Sequence, residues 1–354
     1  MRRMTTIAAA ASAVTLTFAL SACGERTETA SPSAGGSSGS DCVEPNGQTV
    51  GLAFDVGGRG DQSFNDSAAK GADDASCELG FEVTDSEAED GEPESAREER
   101  LRQFADAGVD PIIAVGFAYA PAVAKVAKEY PESHFALIDS TDATGDNIAN
   151  LVFAEEQGSY LVGAAAALKS ETGQIGFVGG VDTPLINKFE AGYVAGAEKV
   201  DPQIRVDVTY LTKPPDFSGF GDPAKGKTAA QGMYDGGADI VFHAAGGSGG
   251  GVFEAAAEGD TLAIGVDSDQ YLTADPAVQD VILTSMLKNV NVAVLDYLTE
   301  VEGGTFPSGP VTYDLEDDGV GYSTSGGQVD DIAGQLDDFK QQIIDGTIKV
   351  PTTP

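Results

Sequence analysis

From Thr49 onward, short apolar runs alternate with amphipathic segments. The runs predict strands over residues 50–55, 81–84, 111–115, 135–139, 148–153, 175–178, 205–210, 240–244, 262–266 and 281–284. Between them, apolar positions recur at helical spacing and predict helices over 63–79, 93–107, 120–129, 157–168, 185–200, 223–234, 250–257, 289–301 and 331–344. Near-continuous Val/Ile/Leu runs separated by helices belong to parallel strands covered on both faces. The fold class is therefore α/β, with doubly wound parallel sheets. One series of strand–helix units runs over 50–150 and a second over 152–281, followed by a helix, a Gly/Asp loop at 314–327 and a last helix. About 300 residues exceed the usual single core, so two lobes joined by a hinge are expected. The boundaries read as 47–151 plus about 283–308 for the N-lobe, and 152–282 plus about 309–354 for the C-lobe.

In open parallel sheets, ligands sit beyond the carboxyl ends of the strands. The loops there are polar or glycine-rich almost throughout. "DVGGRGDQSFN" follows the first strand, Gly116-Phe117 the third and Asp139-Ser140-Thr141 the fourth. Further on come Gly179-Gly180, then Phe189, "GGSG" at 246–249 and "DSDQ" at 267–270, with Ser285 and Lys288 after the last strand. Such convergence predicts a cleft for a small polyol or amide-like solute. Asp55 is either a loop-end carboxylate bonded to nearby amides or a ligand contact. Asp61 precedes Ser63 at the start of a helix and reads as its cap. Phe64 is either core or, beside Asp55 and Asn65, a stacking plate for a planar ring. Asp267 and Lys288 can hold a sugar diol between an acceptor and a donor, or form a plain surface ion pair. The 246–249 loop lacks the third glycine of a dinucleotide fingerprint and the Gly-Lys-Ser/Thr of a P-loop, so phosphate is not its expected guest.

The first residues change the picture of where the protein works. Arg2 and Arg3 precede a 14-residue apolar stretch, 7–20, too short for a stable membrane span. It ends in Leu20-Ser21-Ala22-Cys23, which resembles the lipobox of bacterial lipoproteins. Residues 1–22 thus read as a lipoprotein signal peptide, with Cys23 lipidated, and 23–46, rich in Ser, Gly, Thr and Ala, as a flexible tether. The expected location is the outer face of the cytoplasmic membrane. The formal charge of −37 disfavours a nucleic-acid partner and suits a solvated surface. Cys42 and Cys77 form an even pair in an exported chain and are a candidate disulfide. With no Cys-x-x-Cys and only His134 and His243, no metal site is expected.

Six segments together carry a resemblance: "DVGGRGDQSFN", "EEQGSYLVGAAAA", "GFVGGVDTPLINKFEAGYVAGA", "DIVFHAAGGSGGGVFEAA", "GVDSDQ" and "LTSMLKN". The chain resembles the basic membrane protein family, lipoproteins similar to the purine nucleoside receptor of ABC importers. The resemblance covers about Val50 to Pro351. It implies a type I periplasmic-binding-protein fold, a nucleoside clamped between the lobes, and permease subunits as partners. It also implies site roles. Asp55 and Asn65 would bond the ligand, with Phe64 and Phe189 stacking on the base and Asp139 reading its edge. Gly246, Asp267 and Lys288 would hold the ribose. No cofactor is implied.

Rival readings are a receptor for a sugar or other polar solute and, less favoured, a nucleoside hydrolase, since paired carboxylates serve glycosidic hydrolysis. No nucleophile elbow or Cys/His pair supports catalysis, and both histidines have structural explanations, so no enzyme is expected.

Overall fold

The computed structural model describes residues 42–89 and 91–354. The signal segment 1–22, the lipidation site Cys23 and the tether through residue 41 lie outside the described residues.

The chain opens with β1 (Thr49–Phe54), α1 (Phe64–Leu79), β2 (Glu82–Glu87), α2 (Glu94–Asp106), β3 (Ile112–Ala114), α3 (Ala120–Glu129), β4 (Phe135–Ile138) and β5 (Ile148–Phe153). It continues with α4 (Glu155–Lys169), β6 (Gln174–Val181), α5 (Pro184–Val200), β7 (Arg205–Thr212), α6 (Pro223–Asp235), β8 (Ile240–Ala244), α7 (Gly249–Gly259), β9 (Leu262–Asp267) and α8 (Gln270–Thr273). The last elements are β10 (Ile282–Lys288), α9 (Val290–Glu302), β11 (Gly309–Tyr313), β12 (Val320–Tyr322) and α10 (Ala333–Ile344).

Two six-stranded sheets result, ordered β11-β5-β4-β3-β1-β2 and β12-β10-β9-β8-β6-β7. All neighbours are parallel except β12, which runs antiparallel to β10. Each lobe thus repeats one doubly wound order, and its chain reverses direction across the sheet between its first and third strands. Ligands bind at such switch points. The fully buried central strands, such as Ile112–Ala114 and Ile240–Ala244, explain why their runs are almost wholly apolar, with His243 the one polar residue between them.

Two expectations about the tail are corrected. The chain does not leave the second lobe at about 283, because β10 pairs with β9 through Leu287; the crossing falls at Asn289, and α9 then packs on α1. Nor does the final return begin at 309, since β11 pairs with β5 in the first sheet. β11 and β12 were missed because both are short edge strands. Most of β11 is solvent-exposed, so no buried face imposes an apolar pattern. The same holds for β2, whose exposed sequence EVTDSE hid all but the start of the strand.

Cys42 and Cys77 are joined by a disulfide that fixes the segment before β1 against α1. At the hinge end of the second lobe, α4 and α5 approach through glycine. A Cβ on Gly196 would lie 1.9 Å from the Tyr160 carbonyl oxygen, and one on Gly163 would lie 2.0 Å from that of Tyr193. Both obstacles are backbone, which cannot rotate away. Gly196→Ala is therefore expected to lower stability by about 1–3 kcal/mol, read as a reduced midpoint in urea unfolding.

Candidate ligand-binding cleft

The loop after β1 is built around Asp61. Its carboxylate accepts the backbone N–H groups of Ser63 (2.9 Å), Asn65 (2.8 Å) and Asp66 (3.1 Å), so it caps α1 as expected. It also accepts from Asn65 Nδ2 at 3.0 Å. Asn65 in turn donates to the Val56 carbonyl (3.4 Å) and accepts the Asp55 N–H (3.2 Å). Its side chain is thus largely committed to the loop, leaving the second lone pair of Oδ1 toward any guest. Gly57 and Gly58 adopt φ of +103° and +54°, which lets the turn fold over this network.

Asp55 Oδ1 accepts from the Val56 N–H (2.8 Å) and Arg97 Nη2 (3.2 Å). Burial pushes the Asp55 carboxyl up, and Arg97 opposes the rise. Gly116, at φ +110°, faces its other oxygen; a Cβ there would sit 2.7 Å from Oδ2.

Asp139 and Asp267 end β4 and β9 with φ of +68° and +62°. Left-handed backbone at a non-glycine residue is uncommon and gathers at functional sites. Asp267 Oδ2 accepts from Ser63 Oγ of the opposite lobe at 2.6 Å. Ser268 Oγ donates to the Ser63 carbonyl (2.9 Å), and Gln270 Nε2 to that of Gln62 (3.0 Å). These three bonds join the start of α1 to the loop after β9. Burial pushes the Asp267 carboxyl up to about 6, against the opposing pull of Lys288 and Ser63.

Lys288 is only 2% exposed. Its ammonium lies 2.5 Å from Asp139 Oδ2 and 3.8 Å from Glu155 Oε1. It also lies over the rings of Phe64 (4.7 Å), Phe153 (5.2 Å) and Phe189 (5.7 Å). Asp267 and Lys288 do not form a plain ion pair with each other: each residue reaches across the cleft to a different partner. Nor is this a surface pair, since both Lys288 and Asp139 are buried. Burial pulls the Lys288 pKa down, but Asp139, Glu155 and Asp267 together outweigh it and raise it.

All eight expected contacts line one cavity between the lobes: Asp55, Phe64, Asn65 and Asp139 from the first, Phe189, Gly246, Asp267 and Lys288 from the second. Phe117, Leu185, Ile186 and Phe220 add apolar wall. Phe117 packs edge-on against Phe217 and Phe220, with centroids 5.9 and 6.4 Å away, so these aromatics close the cleft from both lobes. The sequence presents Phe117 only as a loop residue after the third strand. Phe220 and Ile186 carried no signal beyond following a strand. Glu155 was also missed. It starts α4 and reads as a helix N-terminal acid, yet it is 1% exposed and bonded to Lys188 at 3.0 Å. Burial pushes its pKa to about 7.

Neither histidine lines the cavity. His134 Nδ1 lies 2.9 Å from Asp110 Oδ2, and its ring stacks on Phe306. His243 is wholly buried edge-on to Phe253, and burial lowers its pKa to about 4, so it is neutral.

A two-lobed, hinge-crossed chain with its polar groups gathered between the lobes has the architecture of a solute-binding protein, and comparison with known proteins decides the family. A sequence model described as "ABC transporter substrate-binding protein PnrA-like" matches residues 48–354. The chain belongs to this family. Among its relatives, the CD4+ T-cell-stimulating antigen of Listeria monocytogenes is 36% identical over 330 residues, covering 86% of this chain and 88% of that one. The ABC transporter nucleoside-binding protein BmpA of Lactococcus lactis is 37% identical over 257 residues, covering 68% of this chain and 71% of that one. Among solved structures, an ABC transporter solute-binding protein from Aeropyrum pernix K1 superposes with a TM-score of 0.73 at 33% identity, covering 86% of this chain and 93% of that one. The periplasmic-binding-protein fold expected from the sequence is thus the fold observed. The family is one of substrate-binding proteins of ABC transporters, not of enzymes, and its role implies a small-molecule ligand and permease subunits.

Proposed function

We propose that this PnrA-like protein captures a nucleoside, with purine nucleosides the favoured class, and delivers it unchanged to its permease. In this reading it works outside the cytoplasmic membrane, held there by lipid on Cys23. The observation that carries the ligand is the pairing, in one cavity, of aromatic rings from both lobes, Phe64 and Phe189, with carboxylates from both lobes, Asp55 and Asp267. Flat apolar faces suit a heterocyclic base, and acceptor-only carboxylates suit its N–H groups and the sugar hydroxyls. Asp267 supports the ribose role because one of its oxygens accepts no hydrogen bond among the described residues while the other draws the lobes together through Ser63. Four acids lining the cavity against one paired lysine oppose a phosphorylated guest.

Isothermal titration with inosine, guanosine and adenosine, beside their free bases and ribose, tests the reading. Micromolar or tighter binding of a nucleoside, with weaker binding of either fragment, is the expected result. Tight binding of pentoses alone would assign the cleft to sugars, and release of free base, followed by chromatography, would make the protein a hydrolase.

A pH dependence follows from Asp267. Its ionised form accepts from the sugar hydroxyls, and burial has raised its pKa to about 6. Binding therefore favours proton loss. Nucleoside affinity is expected to hold steady above about pH 6 and to fall by up to about tenfold per pH unit below it. Titrations from about pH 5 to about pH 8 would show the bend, and a flat profile would exclude ionised Asp267 from the contact.

A further inference from the structure

Behind Asp55, on the side away from the cavity, stands a buried cluster that no ligand contact explains. Arg97, on α2, is 5% exposed and does not line the cavity. Its Nη2 donates to Asp55 Oδ1 at 3.2 Å, and its guanidinium lies over the Tyr119 ring at 5.6 Å. The other carboxylate near it, Glu92, is 3.8 Å from Nε and is already held by both terminal nitrogens of Arg100, at 3.0 and 2.8 Å. Arg100 also donates to the Tyr119 hydroxyl (3.0 Å), which donates to the Phe54 carbonyl (3.0 Å). The cluster therefore holds Arg97 in place and leaves Asp55 as its hydrogen-bonded acid.

The consequence falls on Asp55. Oδ1 is occupied by the Val56 N–H and by Arg97, whereas Oδ2 accepts no hydrogen bond among the described residues. We propose that Arg97 is a positioning residue that keeps Asp55 ionised with Oδ2 as its open acceptor, and thereby makes the site select ring edges that present N–H donors. This rests on the nucleoside reading above. An ionised carboxylate only accepts, whereas a protonated one also donates and would suit a ring edge of bare acceptor nitrogens.

The groups around Asp55 support the assignment. Burial is the main force pushing its pKa up, Glu92 adds to the rise, and Arg97 is the main opposing charge. Asp61 belongs to the same loop, and Tyr119, packed beside Arg97, is a neutral phenol whose pKa is itself pushed above its ordinary value by burial. Asp139, Asp267 and Lys288 line the cavity, where Lys288 is bonded to Asp139. No other cation bonds Asp55 among the described residues.

The test compares the full chain with its R97Q, R97K and D55N variants. The probes are inosine, whose six-membered ring carries an N–H, and unsubstituted purine riboside, whose ring carries only acceptor nitrogens. The wild type is expected to prefer inosine by about tenfold or more, the scale of a hydrogen bond to a charged group. In R97Q that preference shrinks as pH falls and the carboxyl midpoint of Asp55, followed by NMR of the ligand-free chain, moves upward. R97K retains most of the wild-type preference, and D55N loses or inverts it at every pH. Equal losses for both ribosides in R97Q, with the Asp55 midpoint unmoved, would overturn the proposal and leave Arg97 a structural residue. If no nucleoside binds the wild type, the nucleoside reading falls, and the Arg97 assignment then stands or falls on the Asp55 midpoint alone.

Discussion

Lys288→Met is expected to cost about 3–5 kcal/mol of folding stability, the penalty for leaving a buried acid without its partner. The substitution keeps length and apolar bulk among Phe64, Phe153 and Phe189, so packing loss is small, and the charge is what disappears. Two acids are left behind: Asp139, bonded to the ammonium at 2.5 Å, and Glu155, 3.8 Å from it. Glu155 keeps Lys188 at 3.0 Å, but Asp139 keeps no cation among the described residues. Burial already pushes Glu155 to about 7 and Lys288 opposes that, so removing Lys288 raises it further. The penalty should then be greatest above about pH 7, where Glu155 must ionise, and shrink below it. Urea unfolding of the variant across pH checks this. The double variant Lys288→Met, Asp139→Leu should recover much of the loss, because replacing a buried pair by apolar groups is often neutral or better. If Lys288→Met alone unfolds like the wild type, the pair is not the buried element described here. On the proposed nucleoside reading, affinity should fall as well, since the bond between Asp139 and Lys288 joins the two lobes.

On the proposed nucleoside reading, Asp267→Ala is expected to weaken binding by about 10- to 150-fold, the equivalent of about 1.5–3 kcal/mol for a hydrogen bond to a charged group. The free base should lose much less. Two effects add for the nucleoside: the hydroxyl acceptor disappears, and so does the 2.6 Å bond from Ser63 that ties the lobes. Ser63→Ala separates them, because it removes the tie and leaves the acceptor. It should cost nucleoside and base equally, whereas Asp267→Ala discriminates. Equal losses for base and nucleoside in Asp267→Ala would mean that Asp267 acts on closure alone and does not touch the sugar. Isothermal titration of the two variants against a nucleoside and its base measures both quantities.

Much of this architecture is legible along the chain for a simple reason. Buried parallel strands, such as β3 and β8, need apolar side chains on both faces, and helices between them need one apolar stripe, so periodicity carries the fold class. The residues at strand ends are legible too. A ligand beyond a sheet edge leaves Asp55, Asp139 and Asp267 directly after apolar runs, where a carboxylate serves no packing purpose. Periodicity alone does not single out these eight residues from other strand-end residues; the family resemblance does.

Composition and local pattern determined the two-lobed α/β plan, the loops that face the cleft and the acidic character of the site. Only the tertiary structure decided which groups meet. Lys288 pairs with Asp139, 149 positions away in sequence, and Asp267 with Ser63, 204 away, because the lobes close over them. Arg97 and Glu155 look like ordinary helix-surface charges in the sequence and are buried by elements distant in the chain. Pairing energies between buried charges depend on distance and solvent exclusion, quantities that exist only once the chain has folded. That is why a sequence names the acids of this cleft but not their partners.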